Sequence, residues 1–312
     1  MRMRTKVWLI IAASLVLIGC ILFAGVMSTV KYESNDYEIS EAFDCISINT
    51  DAADIVFAVS DSGNCKVECY EEEKSNHLVT IEENTLVIKM IDSRSWYDHI
   101  GVNFGSPKII VYLPQTEYAS LSINESTGDV EIPKDFIFNG VDIALSTGNV
   151  NYYASASETV KIKTSTGNIC VEDISAGALD LSLTTGKVTV SDVSCDGDVT
   201  IGVSTGKTYL TDARCKSVIS SGNTGGISLN NVIAAEKLCI ERSTGDVEFN
   251  DCDATEIFIE TDTGDVTGTL LTEKVFITKT DTGNVDVPKT VNGGSCEIST
   301  DTGDIKISVK KG

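Results

Sequence analysis

Ser146-Thr147-Gly148-Asn149-Val150-Asn151-Tyr152 is followed one interval later by Ser165-Thr166-Gly167-Asn168-Ile169-Cys170-Val171, and then by Thr184-Thr185-Gly186-Lys187-Val188-Thr189-Val190. The signature is a tripeptide, Ser/Thr/Asn/Asp-Thr-Gly. Its glycines are Gly128, Gly148, Gly167, Gly186, Gly206, Gly225, Gly245, Gly264, Gly283 and Gly303. The gaps between them run 20, 19, 19, 20, 19, 20, 19, 19 and 20. A short period held over so many copies marks a solenoid, in which each repeat is too small to bury a core alone and does so by stacking on its neighbours.

Apolar residues keep the same register. Two residues after the glycines stand Val130, Val150, Ile169, Val188, Thr208, Ile227, Val247, Val266, Val285 and Ile305. Four after them stand mostly Ile, Tyr, Val, Leu and Phe, as in Ile132, Tyr152, Val171 and Phe249. This alternation is that of a strand with one buried face. A second strand precedes each tripeptide, with inward sets such as Val141/Ile143/Leu145 and Leu179/Leu181/Leu183. Two short strands and two bends per repeat predict an all-β, single-chain β-solenoid. Stacked at about 4.8 Å per coil, ten coils make a rod roughly 45 Å long. Right-handed winding is expected for parallel crossovers.

Glycine permits the tight corner. The threonine before it is present in every copy, as Thr127, Thr147, Thr166, Thr185, Thr205, Thr224, Thr244, Thr263, Thr282 and Thr302. These are expected to form a structural ladder, each hydroxyl held by its own turn or by the next coil. Equivalent threonines in such number exclude a catalytic reading.

Residues 126–312 form the regular repeats, and 45–125 are β-like without the tripeptide. Ile46-Ser47-Ile48-Asn49-Thr50 running into Asp54-Ile55-Val56-Phe57 is a degenerate coil. Val79-Thr80-Ile81 and Leu86-Val87-Ile88 flank a turn at Glu82-Glu83-Asn84, and Ile109 to Leu113 is a strand ended by Pro114. This region is expected to cap one end of the rod, and Lys310 and Lys311 to blunt the edge at the other.

Val7 to Met27 is 21 residues without a charge, enough to span a bilayer. Arg2, Arg4 and Lys6 precede it. The positive-inside bias then gives a cytoplasmic tail at 1–6, an anchor at 7–30, a linker at 31–44 and an extracytoplasmic body, hence single-pass placement in a bacterial cell membrane. Leu17-Ile18-Gly19-Cys20 also resembles a lipoprotein cleavage box, but Ile21 to Met27 stays apolar after the cysteine. The chain carries a net charge of −22. A body this acidic repels phosphate backbones, which excludes nucleic acid as a partner.

The order Ile46-Ser47-Ile48, Leu86-Val87-Ile88, Val111-Tyr112-Leu113-Pro114 and Leu121-Ser122-Ile123, leading into Ser126-Thr127-Gly128-Asp129-Val130 and its repeats, resembles the bacterial putative-adhesin β-solenoid family. The resemblance covers about residues 40 to 312. It implies an envelope location and adhesin-like binding, with some relatives linked to envelope-stress signalling. It supplies no catalytic residues.

The candidate sites are therefore binding surfaces. The loop Asp92 to Pro107 holds Trp96, Tyr97 and Phe104 in a stretch without strand periodicity; the competing reading tucks Trp96 and Phe104 over the end of the core. The outward position before each tripeptide reads Ile219, Cys239, Phe258 and Ile277 on four consecutive repeats. Four consecutive coils place these in an exposed apolar stripe about 15 Å long, and such surface suggests an interface; the competing readings are packing against flanking long side chains and a slipped register. Asp246, Asp265 and Asp304 follow their glycines and are read as solvated turn residues rather than a calcium corner. Among ten cysteines there is no CxxC pair and no zinc-spaced Cys/His cluster, and His77 and His99 are the sole histidines. No metal or cofactor is expected. Cys195 and Cys215 fall at equivalent places on successive coils, where a disulfide is possible in an exported protein. Three functions follow in order: an adhesin-like binding or display scaffold that recognises an envelope or surface protein or glycan, an accessory or sensor in envelope-stress signalling through a membrane partner, and a polysaccharide-active enzyme. Uniform coils with no long loop interrupting the ladder disfavour the last.

Overall fold

Alternating β-branched residues with a glycine corner every 19 or 20 positions leave the backbone one way to satisfy its hydrogen bonds, which is to pair with the copy above and the copy below. The computed structural model, which describes residues 8, 12–20, 31–93 and 107–310, shows this arrangement. Residues 12–20 are helical. No described helix is long and apolar enough to cross a membrane, and most of the Val7–Met27 stretch lies outside the described residues.

The strands in chain order begin with β1 (Tyr32–Ile39), β2 (Cys45–Ala52), β3 (Asp54–Val59), β4 (Cys65–Glu72), β5 (Ser75–Glu82), β6 (Thr85–Asp92) and β7 (Lys108–Leu113). The ladder proper follows with β8 (Glu117–Thr127), β9 (Val130–Ile132), β10 (Ile137–Thr147), β11 (Val150–Tyr152), and the long runs β12 (Ser155–Cys195), β13 (Val199–Thr224) and β14 (Ile227–Thr244), which turn corners without losing strand geometry. It closes with β15 (Val247–Cys252), β16 (Glu256–Thr263), β17 (Val266–Leu270), β18 (Lys274–Thr282), β19 (Val285–Asp286), β20 (Gly294–Thr302) and β21 (Ile305–Val309). From β8 onward the pairing is parallel and in register, glycine corner on glycine corner. Leu181 meets Ile201 and Gly186 meets Gly206. The result is a β-solenoid of about 10 turns. Its columns of Val, Ile and Leu, such as Val188, Val190, Leu210, Leu229 and Val247, are fully buried. Each such side chain contributes about 1.5–3 kcal/mol of burial. A cluster of Phe57, Tyr118, Phe136 and Phe138, with ring centroids about 6 Å apart, fills the core where the irregular region joins the ladder.

The glycine corner is set by contact as well as by conformation. Gly206 has φ 146°, and a Cβ placed there would lie 1.6 Å from the carbonyl oxygen of Gly186 on the preceding coil. The coils stack too closely for any side chain. A second corner, six residues after the glycine, uses Asp173, Asp192, Asp212, Asn231 and Asp251, each left-handed at φ 50–56°. Asp and Asn tolerate that conformation because their short side chains bond locally.

The threonines differ from expectation. Those before the glycines are exposed, and it is their backbone carbonyls that accept the glycine N–H of a neighbouring coil, as from Gly128 to Thr147 at 3.1 Å and Gly245 to Thr263 at 2.8 Å. The buried hydroxyls sit two residues earlier. Thr261 donates to the Gly245 carbonyl at 3.3 Å and Thr300 to the Gly264 carbonyl at 3.1 Å. Strand alternation puts that position inside with Ile257 and Ile259, and the next residue of the same parity, Thr263, is exposed because the chain there enters the glycine corner.

Coil order follows the sequence only in the middle of the rod. At the amino-terminal end the coil β2/β3 lies between β6/β7 on one side and β8/β9 on the other. At the carboxy-terminal end β20/β21 is inserted between β16/β17 and β18/β19. The last coil in sequence is therefore second to last in space. Cys296, Ile298, Ile305 and Ile307, its inward residues, are all buried there. The displaced coil offers Phe276, Thr278 and Thr280, a more polar set that suits the exposed end. Lys310 accordingly does not guard an edge; its Nζ lies 2.8 Å from Asp251 Oδ2. Lys311 is outside the described residues.

Beyond β7 the parallel pattern stops. β4 runs antiparallel to β7, β1 antiparallel to β4, and β5 antiparallel to β6 through the Glu83-Asn84 turn, both residues having positive φ. The linker read at 31–44 thus contains β1, which belongs to the cap, and the first regular coil after the cap, β8/β9, begins at Glu117 rather than 126.

Candidate interaction surfaces and the polar core

Polar side chains that recur with the repeat are engaged in the stack. Asp129 Oδ1 accepts the Asn149 backbone N–H at 2.7 Å, and Asn149 Oδ1 accepts that of Asn168 at 3.0 Å. The later ladder runs Asp246, Asp265, Asp304, Asn284, each carboxylate accepting the next N–H at 2.8–3.0 Å. It repeats the interleaved coil order. These residues are structural acceptors rather than merely solvated turn residues, because the glycine corner leaves an N–H that neither sheet can pair.

Besides Lys274, which Asp253 holds at 2.6 Å, two buried charges interrupt the apolar columns. Glu125 is 3% exposed; its Oε1 accepts the Ala53 N–H at 2.9 Å and its Oε2 has no partner. Burial pushes its carboxyl up to about 7, against the pull of the Ala53 hydrogen bond. Arg242 lies over Gly222, where the adjacent coil has no side chain, and donates to Ser220 Oγ at 2.8 Å.

The capped end encloses a third polar group. Glu71 on β4 and His77 on β5 face each other, Oε2 to Nδ1 at 2.5 Å, and His77 Nε2 lies 2.8 Å from Thr50 Oγ1 on β2. Carboxylate, imidazole and hydroxyl form the chain of contacts that activates a nucleophile in hydrolases. Here Glu71, His77 and Thr50 are 0%, 4% and 5% exposed, with Asn35 donating to Glu71 Oε1 and Tyr37 donating to the His77 carbonyl. No substrate reaches Thr50, so the arrangement serves as a buried hydrogen-bond network. Cys69 is the third member of a set, with Glu71 and His77, whose donor atoms lie within 4.8 Å of one another and have the chemistry to hold a transition metal. The sequence reading missed this set because the ligands come from two antiparallel strands. His77 already uses both ring nitrogens, and burial pushes the Cys69 thiol up to about 12.

The apolar stripe is rearranged by the coil order. Ile219 pairs with Cys239 and Cys239 with Phe258, but Phe258 pairs with Glu297, and Glu297 with Ile277. Ile219 is 41% exposed, Cys239 and Phe258 are half-buried, and the Lys237 ammonium sits 5.8 Å from the Phe258 ring centre. Ile277 is separated from the stripe and stands on the terminal strand β18, with Val275 beside it and Val285 on β19. A separate groove of about 890 Å³, lined by Lys306, Ser308, Val287 and Pro288, opens where β19 stops at Asp286 while β21 runs on, and none of Ile277, Val275 and Val285 lines it. Trp96, Tyr97 and Phe104 lie outside the described residues. Cys195 and Cys215 are buried free thiols on adjacent coils, each pushed up to about 12 by desolvation.

A parallel solenoid with glycine corners in register, a carboxylate ladder and an antiparallel cap defines a repeat-built scaffold class. The chain belongs to the Toastrack DUF4097 family, whose model matches residues 43–203 and 195–312. Among solved structures it is similar to a putative adhesin from Bacteroides fragilis, at 16% identity over 89% of this chain and 97% of that one, with a TM-score of 0.46. It is also similar to a putative lipid binding protein (17% identity, 86% and 96% covered, TM-score 0.48) and a putative adhesin (12%, 87% and 98%, TM-score 0.46), both from Parabacteroides distasonis. No curated protein matches the chain.

Proposed function

We propose that this chain is a non-enzymatic scaffold of the bacterial cell envelope, held at the membrane by its amino-terminal segment, with the solenoid outside the cell binding or displaying another surface component. One observation carries the reading. Polar side chains at the glycine corners bond coil to coil, and several large apolar side chains face solvent, among them Ile219, Val275, Ile277 and Val285. Exposed apolar side chains on a rigid rod serve binding better than chemistry. The uncharged stretch Val7–Met27 and the basic residues before it support the anchor and its orientation.

Crosslinking capture on intact cells tests this, with the wild type compared against a Trp96→Ala/Tyr97→Ala double variant and Phe258→Asp. Loss of a captured component in either variant, with the solenoid still folded, places the binding surface. Capture of one specific membrane protein favours the signalling-accessory role. Unchanged capture in both variants removes these surfaces from the reading.

A further inference from the structure

The two ends of the rod differ in what they offer another chain. At the amino-terminal end, Tyr37 donates to the His77 carbonyl and so ties β1 to β5, and β1 adds Glu33, Asp36 and Glu38 to the outside. At the carboxy-terminal end β18 pairs with β20 on one side and, among the described residues, has no ladder partner on the other. It is nine residues long, with Ile277 58% and Val275 37% exposed. An edge of that length and composition is a template for another strand.

We propose that this end is a self-association surface, through which two copies of the chain join tail to tail with β18 antiparallel to its counterpart. Charge favours a second copy here. In the segment Glu273–Gly293 Lys274 is buried against Asp253, which leaves Lys279 and Lys289 against Glu273, Asp281 and Asp286, a net −1 in a chain of net charge −22. Two acidic rods repel less at this end than at the amino-terminal one, where β1 adds Glu33, Asp36 and Glu38. Register favours it too. Setting Ile277 opposite Ile277 puts Phe276 opposite Thr278 and Val275 opposite Lys279 and keeps every side chain on its own face, with Glu273 and Asp281 meeting only where β18 begins. A register centred on Lys279 would oppose two ammonium groups. Val285 and Val291, 44% and 87% exposed on the same coil, would be covered by the junction. The acidic, tied amino-terminal end cannot repeat the contact, so association closes as a two-fold dimer instead of running on as a fibre.

The dimer would place the two amino termini at opposite ends of a doubled rod. On the scaffold reading proposed above, this suits a contact between facing membranes. The full chain in detergent is expected to show the mass of a dimer by light scattering. Ile277→Lys is expected to return it to a monomer with its β-sheet circular dichroism unchanged. Under mild oxidation Ile277→Cys should give a disulfide-linked dimer. Ile137→Cys, a site 51% exposed in mid-rod, should not. A wild-type monomer, or equal crosslinking at both positions, overturns the proposal. Mixing two cell populations with differently tagged Ile277→Cys chains separates the two readings. Dimers in detergent with no mixed-tag product across cells would leave self-association standing and remove the contact between membranes.

Discussion

At the amino-terminal end three antiparallel strands close over a core that includes Glu71, His77 and Thr50, and at the carboxy-terminal end the ladder stops at a strand with Val275 and Ile277 facing out. Both ends nevertheless share one device. Each holds a coil out of sequence order, β2/β3 between later coils at one end and β20/β21 between earlier ones at the other. A solenoid built in simple order frays from its last repeat, because that repeat has a single neighbour. Here the final residues of the ladder are held on both sides, so fraying from the terminus meets two interfaces.

The largest test of this comparison is to remove residues 294–312. Four buried side chains, Cys296, Ile298, Ile305 and Ile307, go with them. At about 1.5–3 kcal/mol each, the loss is roughly 6 kcal/mol or more. Residues 272–293 are also expected to become sensitive to proteolysis. If β18 instead moved one place inward and paired with β16, denaturant unfolding would register little change, and the interlock would carry no weight.

The cap is probed by His77→Ala. It leaves the Glu71 carboxylate buried without its imidazole, and losing one partner of a buried pair costs about 3–5 kcal/mol. Loss in the cap alone, seen as early hydrogen exchange in β1, β4 and β5 with the mid-rod coils still protected, is the expected pattern. Uniform loss along the rod would show that the cap and ladder unfold as one unit.

Glu125 stands where cap and ladder meet, and it gives that junction a pH dependence. The folded carboxyl loses its proton near pH 7, against an ordinary value of 4.5. The folded state therefore holds the extra proton between those values. Stability is full below about 4.5 and declines as pH rises through 7, by about 3 kcal/mol in all. Glu125→Gln keeps an acceptor for the Ala53 N–H without the charge. It is expected to flatten this decline, so that the variant exceeds the wild type at pH 8 and matches it near pH 4.5. Parallel pH profiles for the two proteins would rule the account out.

The smallest effect is predicted in the middle of the rod, far from either end. Thr208 is 1% exposed in a column otherwise filled by Val and Ile, and its hydroxyl has no partner. Thr208→Val is expected to stabilise by about 1 kcal/mol, since it removes an unsatisfied buried group without changing shape. Destabilisation in thermal unfolding would mean that the hydroxyl has a partner after all.

Much of the ladder was legible because a two-residue strand period and a fixed glycine spacing are local patterns. The inward residues Val141, Ile143 and Leu145 or Leu179, Leu181 and Leu183 are read straight from alternation, and all are buried. The second corner was legible in principle, since Asp173, Asp192, Asp212, Asn231 and Asp251 hold one offset from their glycines. The roles of the threonines and aspartates were less so. The same residue type serves through a carbonyl at one position and a hydroxyl two residues earlier, and inward or outward placement decides which. The polar core could not be found from spacing, because Thr50, Cys69, Glu71 and His77 are brought together by a hairpin folding across the end of the rod.

The sequence by itself determined the coil, its length, its corners and which face of each strand is buried, since these depend on residues close together in the chain. The tertiary structure alone decided which coil lies on which. The registers of β16 on β18 and of β16 on β20 are alike by local rules, because every coil carries the same signature. The choice falls to whichever inward set gains more from being enclosed on both sides: Cys296 and Ile298 are covered, and Phe276 and Thr278 are left at the open end.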